Sequence, residues 1–170
     1  KKLTEDLVEA SKASSGALNV ELQPTDVNVL LSQIEGEYQE RLAACHLTLV
    51  TQPPAPGTMI QADSRLLSRV MDNLVSNVCK YALENTRVYV TAAVRDGQAV
   101  ISFKNVSRDE LNISPDELME RFVRGDASRH LEGSGLGLSI ARSLVQLQGG
   151  TFALSIDADL FRADIVFPLI

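Results

Sequence analysis

Cysteine is scarce: only Cys45 and Cys79 occur among 170 residues. Two cysteines far apart in sequence give neither a disulfide framework nor metal-ligand spacing, so they read as reduced, mostly buried thiols. Histidine is equally rare. His46 and His130 stand apart from cysteine or carboxylate clusters, which argues against a zinc site. No apolar run approaches the length needed to cross a bilayer, and the start does not resemble a signal peptide. Cations are outnumbered, 16 Lys and Arg against 22 Asp and Glu, for a net charge of −6. That balance disfavours a nucleic-acid binder working by bulk electrostatics. There is no internal repeat and no low-complexity segment. The chain begins at Lys1-Lys2-Leu3 without an initiator Met and reads as a piece of a longer protein.

A hydrophobic content of 45% is ordinary for a globular protein, and the length suits one domain with a full core. Lys1 to Ala17 carries Leu3, Leu7, Val8 and Ala10 at helical spacing and reads as the trailing end of a preceding helical domain, with the main domain over 18–170. Leu18 to Leu22 is strand-like. Pro24-Thr25-Asp26 starts a helix, and Val27, Leu30, Leu31, Ile34, Tyr38 and Leu42 give it an apolar stripe to about Ala44.

Strands are predicted at Leu47 to Val50 and Met59 to Ala62, and Asp63 or Ser64 caps a long helix to about Leu83. Arg87 to Val94 and Gln98 to Lys104 alternate around Asp96-Gly97, a hairpin signal. Ser114-Pro115-Asp116-Glu117 opens a short helix. Phe122 to Ser134 lacks periodicity and reads as a mobile loop. Leu136 to Leu147 reads as a helix closed by Gly149-Gly150, and Thr151 to Ile156 pairs with Phe161 to Leu169. Helices interleaved with antiparallel hairpins predict an α/β two-layer sandwich, a mixed, mostly antiparallel sheet with helices on one face.

Two stretches carry the chemistry. On the long helix Asn73, Asn77 and Lys80 stand at i, i+4 and i+7, within a stripe of about 60°. This stripe borders the apolar one formed by Leu67, Val70, Met71, Leu74 and Val78. Amide oxygens can hold a hydrated divalent metal and lysine can hold phosphate; the alternative is a solvated polar face. Gly133, Gly135 and Gly137 then run straight into a helix, where free N–H groups favour an anion; the alternative is a tight helix-entry turn.

These residues resemble the ATP-binding catalytic domain of sensor histidine kinases, in the GHKL ATPase superfamily. Asn73 to Tyr81 is similar to the N box, with Val78 where alanine is usual. Glu120 to Asp126 resembles the F box, and Gly133 to Ala141 resembles the G2 box. The G1 box departs from its D-x-G-x-G pattern: Asn105-Val106-Ser107 follows the strand, and Asn105 holds the place of the adenine-binding Asp.

The resemblance implies transfer of the ATP γ-phosphoryl group to a histidine on a separate helical domain. No acceptor motif occurs here, so His46 reads as structural and His130 as an incidental lid residue. ATP and Mg²⁺ are the implied cofactors. Asn77 would ligate the metal, and Asn73 would sit beside the phosphates or support the acceptor histidine. Lys80 would hold phosphate, Tyr81 and Phe122 would pack near the nucleotide, and Asn105 would accept from the adenine amine. Gly133, Gly135, Leu136, Gly137 and Leu138 would line the phosphate turn, and Arg124 and Arg129 would neutralise charge on the transferring group.

The implied partners are the chain's own dimerisation and acceptor domain and a response-regulator receiver domain. Nucleic acid and direct membrane contact are not expected. The parent would be a homodimer anchored in the bacterial membrane, with this domain in the cytoplasm. Two other readings stand beside this one. A degenerate nucleotide-binding module draws support from the altered G1 box. A GHKL-type ATPase is disfavoured because Asn73 stands where such enzymes place a Glu, and an amide cannot act as a general base.

Overall fold

Asp26 ends one extended piece and starts a helix in one residue. Its side chain accepts a hydrogen bond from Asn28 N at 2.9 Å, closing the N-terminus of α1 (Val27–Ala44). In the computed structural model, which describes residues 19–111, 114–124 and 137–170, α1 buries Val27, Leu30, Leu31, Ile34, Tyr38 and Leu42, the stripe its spacing predicts. The strand before it, β1 (Gln23–Asp26), lies later than expected from Leu18 to Leu22 and contains Pro24. Among the described residues its one partner is β3 (Met59–Ala62), in a two-stranded antiparallel sheet where a proline without an N–H is tolerated.

The main sheet has five strands in the order β2 (Leu47–Gln52), β4 (Thr86–Arg95), β5 (Gln98–Val106), β7 (Leu160–Pro168) and β6 (Thr151–Asp157). Only β2 with β4 is parallel. This is the mixed, mostly antiparallel sheet that the element order predicts. The β4–β5 turn is Asp96-Gly97, with φ of 53° and 74°, left-handed at both central residues as a tight two-residue hairpin requires.

Alternation along the strands makes one face apolar. Val88, Val90, Ala92, Ala99, Ile101, Phe103, Ala163, Ile165 and Phe167 are buried in a single core with the apolar residues of the helices. The other face is polar: Tyr89, Lys104 and Arg162 lie side by side in register. Arg162 pairs with Asp164 at 2.8 Å.

The long helix, α2 (Ser64–Tyr81), is capped by Asp63, whose Oδ1 accepts from Arg65 N and Leu66 N at 3.0 and 3.2 Å. It ends two residues earlier than its periodicity suggests, because Ala82 turns extended and bridges to Ser107. α3 (Pro115–Arg124) begins as expected, with Glu117 N donating to Ser114 Oγ at 3.2 Å. It continues through Arg124, so Phe122 to Arg124 belong to a helix and not to the predicted loop. α4 (Gly137–Leu147) buries Leu138, Ile140, Ala141, Leu144 and Val145. No helix among the described residues is long and apolar enough to cross a membrane.

Candidate nucleotide site

The polar stripe of α2 is not a solvated face. Asn73 is 8% exposed and lies among Leu74, Val75 and Val78, while Asn77, Lys80 and Tyr81 are half-buried. Among the described residues no partner meets Asn73 Nδ2. A buried amide donor without an acceptor costs about 1–3 kcal/mol. The start of α4 lies directly against it. A Cβ built on Gly137 would meet Asn73 O at 3.8 Å and Oδ1 at 3.9 Å, ordinary contact distances. The asparagine stripe and the last glycine of the run therefore adjoin, although the sequence separates them widely.

Asn105 supplies the second orphan. It lies within β5, paired with Phe161, one residue before the strand ends and not at its terminus as expected. Strand alternation puts it on the same face as Ile101 and Phe103, toward the helices. It is 5% exposed, and its Oδ1 accepts no hydrogen bond among the described residues. Backbone contacts tie this strand end to α2. Leu83 N donates to Val106 O and Arg108 N to Tyr81 O, both at 2.8 Å. Periodicity and motif reading missed this seam, since backbone bonds between distant segments leave no residue-type signal.

The expected site residues thus fall into three groups. Asn73, Asn77, Lys80, Tyr81, Asn105 and Gly137 sit on α2, the end of β5 and the start of α4, elements joined by the contacts above. Leu138 is fully buried in the core, so its side chain is turned away from any ligand and only its backbone is available. Phe122 and Arg124 lie on α3, while Arg129, Gly133, Gly135 and Leu136, with the predicted mobile loop around them, lie outside the described residues.

The donor set fits a nucleotide. Asn105 offers a buried acceptor suited to an amine, and Asn73 offers a buried donor suited to an anionic oxygen. Asn77 adds an amide oxygen and Lys80 a cation on the same helix stripe. Neither buried amide finds its complement within the described fold, so a ligand carrying both an amine and anionic oxygens would satisfy both.

A mixed sheet backed by helices, with one buried amide beside a helix start and a second near a strand end, is the frame of an ATP-binding α/β sandwich. Residues 62–165 match the family described as Histidine kinase-, DNA gyrase B-, and HSP90-like ATPase, and the chain belongs to it. The sensor histidine kinase HprS of Escherichia coli (strain K12) is 30% identical over 154 residues, covering 88% of this chain and 32% of that protein. The chain spans about a third of the length of the curated relatives it matches, 32% of HprS and 35% of PcoS. Among solved structures, full-length ShkA in complex with AMPPNP superposes with a TM-score of 0.79 at 24% identity, over 98% of this chain and 35% of that one. The histidine kinase ThkA in complex with the response regulator TrrA gives 0.70 at 18% identity, over 98% and 49%. The resemblance to sensor histidine kinases and the expected sandwich are both borne out.

Proposed function

We propose that this chain is the ATP-binding catalytic domain of a bacterial two-component sensor histidine kinase, passing the γ-phosphoryl group of ATP to a histidine on a separate helical domain. The observation that carries the proposal is the pair of buried amide atoms, Asn73 Nδ2 and Asn105 Oδ1, that find no partner among the described residues, at the N-box and G1 positions of an ATP-binding fold. Mg²⁺–ATP, when bound, supplies the phosphoryl group and a metal that neutralises its oxygens.

The chain's own residues bind and orient. Asn105 accepts from the base amine, and Asn73 donates to a phosphate oxygen. Asn77 offers its amide oxygen to the metal, and Lys80 holds phosphate. Tyr81 and Phe122 flank the nucleotide. Backbone N–H groups at Gly135 and Gly137 cradle phosphate, and Arg124 and Arg129 screen the transferring group. Asn73 cannot take a proton from water, so the domain holds ATP without hydrolysing it and reserves it for an external nucleophile. The nucleophile belongs to the acceptor domain, and a response-regulator receiver domain takes the phosphoryl group onward. That partner is supported by the ThkA–TrrA complex.

The test is transfer in trans. With labelled ATP and Mg²⁺, the chain alone should acquire no acid-labile label, and it should label a supplied cognate acceptor hairpin. Asn77→Ala should weaken Mg²⁺–ATP binding far more than Arg65→Ala at the opposite end of α2. Equal nucleotide affinity with and without Mg²⁺ would remove the metal role of Asn77. The glycine-free Asn105-Val106-Ser107 segment favours one competing reading, a nucleotide-binding module without transfer. Tight ATP binding with no label on the hairpin would establish that reading instead.

A further inference from the structure

The two cysteines of the chain meet. Cys45 is the C-cap of α1, Cys79 lies on the last turn of α2, and the two thiols are neighbours packed against the same core. Contacts on either side hold this register. On one side Arg41 donates to Asp72 Oδ1 at 2.7 Å and to Ser76 Oγ at 2.5 Å. On the other, Asn85 N donates to His46 O at 2.7 Å. One helical turn beyond Arg41 is Cys45, and one turn beyond Ser76 is Cys79, so the bracketed positions face each other. Both cysteines are half-buried at the edge of the core.

We propose that Cys45 and Cys79 form a site of reversible disulfide formation that fastens the end of α1 to the N-box turn of α2, with a low-molecular-weight disulfide as oxidant. Cys45 is placed to react first. It closes its helix and is followed by His46, an exposed turn residue with φ of 62°. Cys79 holds its proton firmly: burial and the neighbouring Cys45 push its thiol up to about 12, against the pull of Arg41.

The Cys45 thiolate attacks one sulfur of oxidised glutathione, forming a mixed disulfide and releasing one glutathione thiolate. Cys79 then gives its proton to solvent base and attacks the Cys45 sulfur. The protein disulfide forms and the second glutathione leaves. Two protein thiols are oxidised, and one disulfide is reduced to two thiols. The bond requires the sulfurs to close to about 2.05 Å, a movement shared between the two side chains and the last turn of α1.

The experiment treats the folded chain with excess oxidised glutathione, alkylates remaining thiols and digests without reduction for mass analysis. The expected product is one peptide pair joined through Cys45 and Cys79, with an intact mass short of two hydrogens. Its Tm should rise by about 5–10 °C and fall back on adding dithiothreitol. Cys79→Ser should stop at a single glutathione adduct on Cys45. Separate glutathione adducts on both cysteines, or linkage only after the chain is unfolded in urea, would overturn the proposal.

Discussion

A single buried amide is where stability and binding separate. Asn73 loses hydration on folding and regains no partner for Nδ2 among the described residues. Asn73→Leu should therefore raise the unfolding free energy of the nucleotide-free chain by about 1 kcal/mol while removing nucleotide binding. Urea unfolding measures the first effect and calorimetric titration the second; a variant that is less stable would show the amide to be satisfied in the fold. Asn105 gives the complementary case. Asn105→Asp keeps an acceptor and should preserve or improve ATP affinity, whereas Asn105→Leu should weaken it about 10- to 100-fold. Unchanged affinity in Asn105→Leu would detach this position from the base. Both residues are visible in the sequence as motif positions. Their burial is not, because it depends on what packs around them.

At the scale of elements, the seam between the ends of α2 and α4 is held by Asp63 and Gln148. Asp63 N donates to Gln148 Oε1 at 2.9 Å, and Gln148 Nε2 donates to Leu144 O at 2.9 Å. Burial works against the charge on Asp63. The N–H groups of Glu21 and Leu66, with the Arg65 cation and N–H, outweigh it and hold the carboxyl below its ordinary 3.8. The folded chain thus takes up this proton at lower pH than the unfolded chain. The stabilisation is complete above 3.8 and is lost as the pH falls through the folded value. Asp63→Asn retains a capping oxygen and should cost about 1–2 kcal/mol at neutral pH, with the difference from wild type shrinking below pH 3.8. Urea midpoints taken down an acid series would show this; a constant difference would mean the charge contributes nothing. The neighbouring turn is equally constrained. A Cβ on Gly150 would come within 2.9 Å of Val166 O and 3.0 Å of the Phe167 ring. Backbone cannot yield cheaply there, so Gly150→Ala should lower stability by about 1–3 kcal/mol, read as a lower urea midpoint.

For the whole molecule, the ligand should act as a missing piece of the fold. The two buried amides lie on elements from distant parts of the chain, so a ligand that meets both should stabilise those elements together. AMPPNP with Mg²⁺ at a hundred times its Kd should raise Tm by about 5–10 °C. Chelating the metal should remove most of that shift, and GTP, lacking the amine in that place, should give little of it. A shift that survives chelation would place the metal outside the binding energy.

What the sequence determined by itself was local. The stripes of α1 and α2, the Asp26 and Asp63 caps and the Asp96-Gly97 hairpin rest on interactions within a turn or two of chain, and so residue order displays them. The asparagine stripe and the glycine run were legible for the same reason. Tertiary structure alone decided which elements lie beside one another: β2 parallel to β4, β5 against β7, Gly137 against Asn73, Cys45 against Cys79. Those neighbours are set by which apolar faces can be covered together, and the entropy of closing a long loop changes only slowly with its length. Spacing along the chain therefore carries little information about them. The strand at Gln23–Asp26 shows the same limit: Pro24 opposes a strand by local rules, and only the single antiparallel partner β3 allows it.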